Sequence, residues 1–258
     1  MCKVLKISRN MIYYTYKLKE IDVELEKDII QIFNQNRKVY GTRKIKKLVS
    51  KQVSRKSVSN IMKKYNLVSK YTIKCYKHYR SSVNNSDIGN VLDRNFSREN
   101  TLDVIVSDLT YVQVGSKWNY ICTIIDLYNR EIIGFSVGKN KTSSLVLQAF
   151  NNINRPLSKV NIFHSDRGSE FKNQAIDELL KTHNITRSLS AKGTPYDNAV
   201  SESTYHIIKT EFVFGEKFNT IKDLELQFFD YVNWYNNHRI HGSLGYLSPV
   251  QFKLLNIA

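Results

Sequence analysis

The sequence predicts an α/β protein in two parts: a mixed sheet with helices on both faces, preceded by a small all-α helix-turn-helix module. Three observations lead there. Residues 102–114, 118–128 and 131–137 are rich in β-branched and aromatic side chains, with only short breaks at Gly115-Ser116 and Asn129-Arg130. Connections that short imply three antiparallel strands. Beyond them helical and strand-like stretches alternate, which gives a sheet further strands with helices across both faces. Ahead of them, apolar residues recur at helical rather than alternating spacing from 21 to 65.

In the first part, Leu25, Ile29, Ile32 and Phe33 define a helix over residues 21–36. Tyr40-Gly41-Thr42 breaks the pattern, and Thr42 is the expected N-cap of a second helix that turns Ile45, Leu48 and Val49 inward. Ser54 caps a third, with Val58, Ile61, Met62 and Tyr65 on its core face and Arg55, Lys56, Ser59, Asn60 and Lys63 outward. A basic, amide-bearing outer face on the last helix fits a DNA-reading element, although the pattern also fits a plain three-helix bundle. Lys63, Lys64, Lys70, Lys74, Lys77 and Arg80 then interleave with Tyr65, Tyr71, Tyr76 and Tyr79. Such a strip can follow phosphates while its rings stack on bases. The small polar run SSVNNSDIGN at 81–90 reads as linker.

In the second part, the three strands are followed by a helix over 143–153, a strand over 160–164, a helix over 170–183, a strand over 185–190 and a helix over 199–212. Right-handed crossovers are expected. A last helix, within residues 221–258, carries Leu224, Phe228, Tyr231, Val232 and Tyr235 on its packing side, ahead of a turn-rich tail with Arg239, His241 and Pro249. The expected organisation is therefore a basic helical region at 1–80, a linker at 81–100, the sheet domain at 101–220, and an extension at 221–258 packing on it.

Charge narrows the partners. Residues 1–100 hold 23 Lys+Arg against 8 Asp+Glu, a net of +15, while residues 101–258 hold 16 against 15, a net of +1. From Ile29 to Ser86 there are fifteen basic residues and no acidic one. An excess that fills a whole folded segment points to a polyanion, with nucleic acid the leading candidate. No apolar run approaches the roughly 18 residues that cross a bilayer. The opening MCKVLKISRN lacks a signal peptide's apolar stretch, and three scattered cysteines form no disulfide framework, so a reducing cytoplasm is expected.

Three carboxylates stand in informative surroundings. Asp108 interrupts the strand-like run VIVSDLTYV, where even an unpaired neutral polar group costs roughly 2–7 kcal/mol to bury. Asp166 falls just past the fourth strand, at the sheet edge where open α/β sheets place their sites. Glu202 lies near the start of a helix with His206 and Lys209 on the same face, and Tyr205, Ile208 and Phe212 opposite. Hard oxygen ligands suit Mg²⁺ or Mn²⁺, and no Cys/His spacing suits zinc. His164 and His206 read more simply as a core and a surface residue than as ligands. Spacing alone carries little weight among 23 acidic residues; the local contexts carry the argument.

In order, SDLTYV, HSDRGSEF, GTPYDNAVSES with Lys209 after it, and YNNHRIHGSLGYLSP resemble a DDE transposase of the bacterial insertion sequences that encode their enzyme in two overlapping frames. The catalytic part of that family is similar to the retroviral integrase core, and YGTRKIKKL resembles its helix-turn-helix region. The resemblance spans essentially the whole chain. It implies a ribonuclease-H-like core in which Asp108, Asp166 and Glu202 are the catalytic residues and hold Mg²⁺ or Mn²⁺, as two ions. It implies cleavage and strand transfer on the element's terminal repeats and target DNA, by a homo-oligomer assembled on paired ends. Lys209 is then expected on phosphate near the cleaved end, with Asn198 and Tyr196 shaping the loop before the helix. Arg43, Arg55, Lys56, Asn60 and Lys63 are the expected DNA contacts of the N-terminal module.

The chain departs from the family pattern at Ile105, where Trp is usual, and at Ser203-Thr204-Tyr205, which replaces a more aromatic stretch. Its opening resembles the start of the family's second frame, which implies joining to an upstream-frame product. The residues by themselves also admit a metal-dependent nuclease on the same fold, or a DNA-binding regulator of the element without catalysis.

Overall fold

The computed structural model describes residues 22–72, 88–191 and 195–256, with backbone alone at 195 and 196, and isolated positions before Asp22. The basic strip from Lys74 to Arg80, and most of the linker read at 81–90, lie outside the described residues.

Three helices form the N-terminal module. Helix α1 (Val23–Gln35) starts where the Asp22 carboxylate accepts the Leu25 N–H at 3.0 Å, with Glu24 and Glu26 in its first turn complementing the helix dipole. Leu25, Ile29, Ile32 and Phe33 are buried as the spacing predicts. Helix α2 (Thr42–Leu48) is capped by Gly41 rather than Thr42, whose Oγ1 instead accepts from Arg55 Nε at 3.2 Å. Ile45 and Val49, four apart, face inward; Leu48 faces away and is exposed, contrary to expectation. Helix α3 (Arg55–Lys64) is capped by Ser54, which accepts the Ser57 N–H at 3.0 Å. Val58 and Met62 are buried, whereas Tyr65 leaves the core and donates its hydroxyl to Glu26 at 2.6 Å.

The sheet has five strands: β1 (Val104–Val114), β2 (Lys117–Asp126), β3 (Ile132–Gly138), β4 (Ile162–Ser165) and β5 (Thr186–Leu189), in the order β3-β2-β1-β4-β5. The β1–β2 and β2–β3 pairs are antiparallel, and the β1–β4 and β4–β5 pairs are parallel. Gly115, at φ +57°, supplies the left-handed residue of the tight β1–β2 turn. This mixed order, with helices on both faces, is the ribonuclease-H-like arrangement.

Helix α4 (Ser143–Asn151) links β3 to β4, and α5 (Gln174–Thr182) links β4 to β5. The second starts four residues later than periodicity predicts. Ser169–Phe171 makes a tight 3₁₀ turn, and the Asn173 side chain then accepts the Ala175 N–H at 2.8 Å to begin the helix. Helix α6 (Ala199–Ile208) does not run on to 212 unchanged but widens into a π turn over Lys209–Val213. Helix α7 (Ile221–Asn237) follows, capped by Thr220. The expected turn-rich tail ends in a further helix, α8 (Pro249–Asn256), because Ser248 accepts the Gln251 N–H at 3.2 Å and proline is favourable in a first helical turn.

Alternation along the strands feeds two cores. Val104, Val106, Val112, Ile121 and Ile125 pack with Phe212, Phe228, Tyr231 and Val232, and this core continues into the N-terminal module. Ile105, Cys122 and Ile124 pack with Val146, Ala149, Phe150, Phe163, Phe171 and Ile176. Ile105, standing where the family usually has Trp, is fully buried in that second core.

The module docks on the C-terminal part through Tyr40. Its buried hydroxyl accepts the Ile240 N–H at 2.9 Å, Arg37 pairs with Asp230, and Lys70 donates to the Glu211 carbonyl at 3.1 Å. Behind them Arg239 binds the Glu211 carboxylate through Nε at 2.7 Å and Nη2 at 2.8 Å, both side chains being buried. Tyr71 and Tyr231 donate their hydroxyls to the same carboxylate at 2.6 and 3.2 Å. Among the described residues no helix is long and apolar enough to cross a membrane.

Candidate active site

Strands β1 and β4 run parallel with Ser107 opposite Ser165. The next residue of each chain is an aspartate, so Asp108 and Asp166 emerge side by side at the sheet edge. Asp166 is the first residue past β4. Its Oδ1 accepts the Gly168 N–H at 2.9 Å, and its carbonyl accepts from Ser165 Oγ at 3.0 Å. Arg167 reaches across to the carbonyls of Ser190, at 2.7 Å, and Ile88, at 3.0 Å, fixing the turn. Asp108 Oδ1 accepts the Leu109 N–H at 2.7 Å. Burial, and then the charge of Asp166, push the Asp108 carboxyl up to about 8 against that hydrogen bond.

A third carboxylate joins them that the sequence reading did not single out. Glu170, buried in the tight turn before α5, pairs with Lys141 at 3.0 Å, and its charge is felt by Asp108. Burial pushes Glu170 up. At Lys141 burial acts downward, but Glu170 and the two aspartates outweigh it and raise the ammonium. Glu170 Oε2 is buried with no hydrogen-bond partner among the described residues. A Cβ on Gly168 would lie 2.2 Å from Glu170 Oε1, so a side chain there would displace this carboxylate. Glu170 lies inside HSDRGSEF and was legible as part of that motif; Lys141 had no signal beyond preceding a helix.

Glu202 stands apart. It is exposed on α6, burial alone pushes its carboxyl up, and neither aspartate figures among the causes. Among the described residues no three acidic, His or Cys side chains are gathered closely enough to hold a metal ion. The structure thus brings two of the predicted carboxylates together and leaves the third on the neighbouring helix.

That helix is tied to the aspartate strand by Tyr205. Its buried hydroxyl accepts from the Thr123 N–H at 2.9 Å and from Thr123 Oγ1 at 2.6 Å, and donates to the Asp108 carbonyl. Thr123 is the residue paired with Asp108 across β1 and β2, so one side chain of α6 is pinned at the register step of the catalytic candidate. Lys209, half-buried past the end of α6, lies 4.8 Å from the centre of the Tyr111 ring. Burial lowers its ammonium, and the nearby Asp108 charge pulls it back up. Asn198 is buried, its Oδ1 without a hydrogen-bond partner among the described residues. Its neighbour Asp197 pairs with Arg94 at 2.7 Å, anchoring the start of α6. The Tyr196 side chain lies outside the described residues.

His164 is a satisfied core residue. Its Nδ1 lies 2.9 Å from Ser188 Oγ and its Nε2 3.2 Å from Ser190 Oγ, and burial pushes it down to about 4. His206 is exposed. In the module, Arg55, Lys56, Asn60 and Lys63 are exposed along α3, and Arg43 is exposed on α2. Arg43 and Arg55 line a cleft of about 570 Å³ together with Lys44, Arg239 and Ile207 of α6, so it opens between module and sheet domain. Burial, reinforced by Arg239, pushes Lys44 down to about 7.

The donor chemistry fits a hard divalent cation. The paired groups, Asp108 and Asp166, are carboxylates, one of them raised by burial and a like charge, and His164 is occupied by Ser188 and Ser190. A cation bound by Asp108 and Asp166 would remove the repulsion between them.

Family models and known proteins match most of the chain. Residues 98–195 match a family model described as an integrase core domain, residues 202–256 match a second of the same description, and residues 20–74 match an HTH-like domain. The chain is 31% identical over 258 residues to the putative transposase InsK for insertion sequence element IS150 of Escherichia coli K12, covering 96% of this chain and 90% of that protein. It is 28% identical over 276 residues to the transposase InsF for insertion sequence IS3A of the same organism, covering 100% and 94%. Among solved structures it resembles the HTLV-2 integrase catalytic core domain in complex with magnesium, at 16% identity and a TM-score of 0.46, over 58% of this chain and 95% of that one. The chain belongs to the insertion-sequence transposases, with an HTH-like module ahead of an integrase core.

Proposed function

We propose that this chain cuts and joins DNA at the ends of its insertion sequence, using Asp108, Asp166 and Glu202 to hold Mg²⁺ or Mn²⁺. The observation that carries this reading is the pairing of Asp108 with Asp166 at the sheet edge, one of them raised to about 8. Two bound ions would activate the attacking oxygen and stabilise the leaving one in an in-line displacement. In the first step a water oxygen bonds to phosphorus and the bond to the 3′-oxygen breaks, freeing a 3′-hydroxyl. In the second that hydroxyl attacks another phosphodiester, and one P–O bond is exchanged for another.

The chain's own groups prepare the site. Gly168 and Arg167 fix the turn that carries Asp166, and Tyr205 sets α6, with Glu202, against β1. Lys209, close to Asp108, takes a phosphate oxygen of the strand being cut, and Asn198 and Tyr196 shape the loop that admits it. Arg43, Arg55, Lys56, Asn60 and Lys63 hold flanking duplex. We assign residues 1–80 to DNA binding, 81–100 to the linker, 101–220 to catalysis and 221–258 to an extension packed on the core. Two-ended chemistry calls for a homo-oligomer on paired ends, acting on DNA in the cytoplasm.

The test is a Mg²⁺- or Mn²⁺-dependent cleavage and strand-transfer assay on DNA carrying the element's ends, with Asp166→Asn as control. Joined products that vanish in the control, with DNA affinity unchanged, are expected. Nicking without joining would establish a nuclease instead. Binding without any metal-dependent product would leave a DNA-binding regulator.

A further inference from the structure

The outer end of the β1–β2 hairpin carries two large rings that neither core uses. Tyr111 and Trp118 are 42% and 56% exposed, and they meet edge to face with ring centres 5.1 Å apart. They are diagonal neighbours, since Tyr111 pairs with Tyr120 and Trp118 with Gln113. The chain's other tryptophan, Trp234, is buried. The pair steadies the hairpin through its edge-to-face contact, and its exposed rings still offer flat apolar faces to a ligand.

The surroundings say which ligand. Trp118 lines a cavity of about 480 Å³ with Lys117, Lys139, Asn140 and Asn219, and no acidic side chain contributes to its walls. Neither lysine forms an ion pair among the described residues. On the other side, the Lys209 ammonium lies over the Tyr111 ring and within reach of the Asp108 charge. Tyr111 is three residues beyond Asp108 on the same strand, about 10 Å along it. Lys209 therefore links the rings, which are flanked by cations and amides, to the carboxylate pair.

We propose that Tyr111 and Trp118 form a stacking platform for an unpaired DNA base beside the cutting site, with Lys117, Lys139 and Lys209 on its phosphates. The inference rests on the DNA-cutting reading above and adds that the strand end is frayed when it is held. A base inside a duplex has both faces covered by its neighbours, so the base on these rings is a terminal one; terminal nucleotides are the cheapest to open, and an opened base offers its whole face to the rings where a closed terminal pair offers only its outer side. Stacking accepts any base, so the platform gives grip on the end without reading its sequence.

The test uses the full chain in EDTA, so that loss of catalysis does not enter. Tryptophan emission and affinity are measured with a synthetic duplex, blunt or ending in three unpaired nucleotides. The unpaired end is expected to quench Trp118 emission and to bind about tenfold tighter than the blunt duplex. Trp118→Ala should remove both the quenching and the preference, leaving blunt-duplex affinity and the melting temperature near wild type. Tyr111→Ala should reduce the preference, and Asp166→Asn should keep it. Equal quenching by both duplexes, or a preference that survives Trp118→Ala, would overturn the proposal. So would DNA-free protein that sediments as a dimer and becomes a monomer in Trp118→Ala, since the rings would then be covered by a second copy.

Discussion

Replacing Tyr205 with Phe removes a single oxygen, and the structure says what that oxygen holds. It receives two hydrogen bonds from Thr123 and gives one to the Asp108 carbonyl, in a place where Tyr205 and Thr123 are both buried. The Thr123 hydroxyl can turn to another acceptor, but its N–H is left facing an apolar edge. A buried donor without a partner costs about 1–3 kcal/mol, and for a chain of this size each kcal/mol lowers the melting temperature by about 2–4 °C. A fall of roughly 2–12 °C is therefore expected in a thermal melt. The chemical effect should be larger than the loss of stability implies, because α6 then lacks its link to the β1 carbonyl next to the carboxylates. Displacing a reacting group by 1 Å can cost on the order of 100-fold in rate. Single-turnover cleavage should slow at least tenfold at unchanged DNA affinity. Thr123→Val supplies the second arm of a double-mutant cycle, and the two changes should be strongly non-additive. A variant that melts with wild type and cleaves at the wild-type rate would refute the reasoning.

Three further outcomes follow from the same geometry. Glu202→Gln should abolish cleavage and joining while shifting the melting temperature by no more than about 1–2 °C, because exposed substitutions usually cost less than 0.5 kcal/mol. Arg239→Met leaves the buried Glu211 carboxylate without its cation and should destabilise the chain by about 3–5 kcal/mol in urea titrations. Adding Glu211→Met should recover most of that loss. The third outcome concerns His241, which burial, and next Arg239, hold well below the usual histidine range. The unfolded chain takes up this proton as pH falls through about 6.5, whereas the folded one does not. Its contribution is complete above that range and is lost as pH falls, so the urea midpoint should drop between pH 7.5 and 5.5, and drop less in His241→Gln.

Much of this architecture was legible because local chemistry announces it. Ser54 precedes its helix at a capping position, and the two-residue breaks at Gly115 and Asn129 specify antiparallel neighbours, whereas the Asp22 cap, inside the helix as the periodicity drew it, was not read. Asp108 and Asp166 were readable as polar interruptions at a strand and at a strand end, and Ser107 opposite Ser165 brings them together as those positions require. What escaped depends on contacts distant in sequence. Lys141 and Glu170 meet only when the start of α4 and the turn after β4 reach the same sheet edge. The Tyr205 hydroxyl has a role only because Thr123 stands opposite Asp108. The delayed start of α5 has the same origin, since the turn that buries Glu170 postpones the helix. Beyond Ile208 the apolar spacing continues to Phe212, so a π turn and an α-helix share one pattern. Leu48 shows the reverse case: an apolar residue at helical spacing is not inward when the helix ends beside it.

The contacts of Tyr40, Lys70 and Tyr71 with Ile240 and the buried Glu211 make the protein a ruler. A module fastened through buried charges cannot pivot freely on the sheet domain, so the reach from the outer face of α3 to the aspartate pair is a fixed length. Each added base pair lengthens the duplex by about 3.4 Å and turns it by roughly 35°. Inserting one base pair between the recognised sequence and the cut should therefore move the scissile phosphate out of register, and inserting a full turn should restore its direction but not its distance. With α3 on the element's end as proposed, the length of that end is measured by protein packing as well as read from bases.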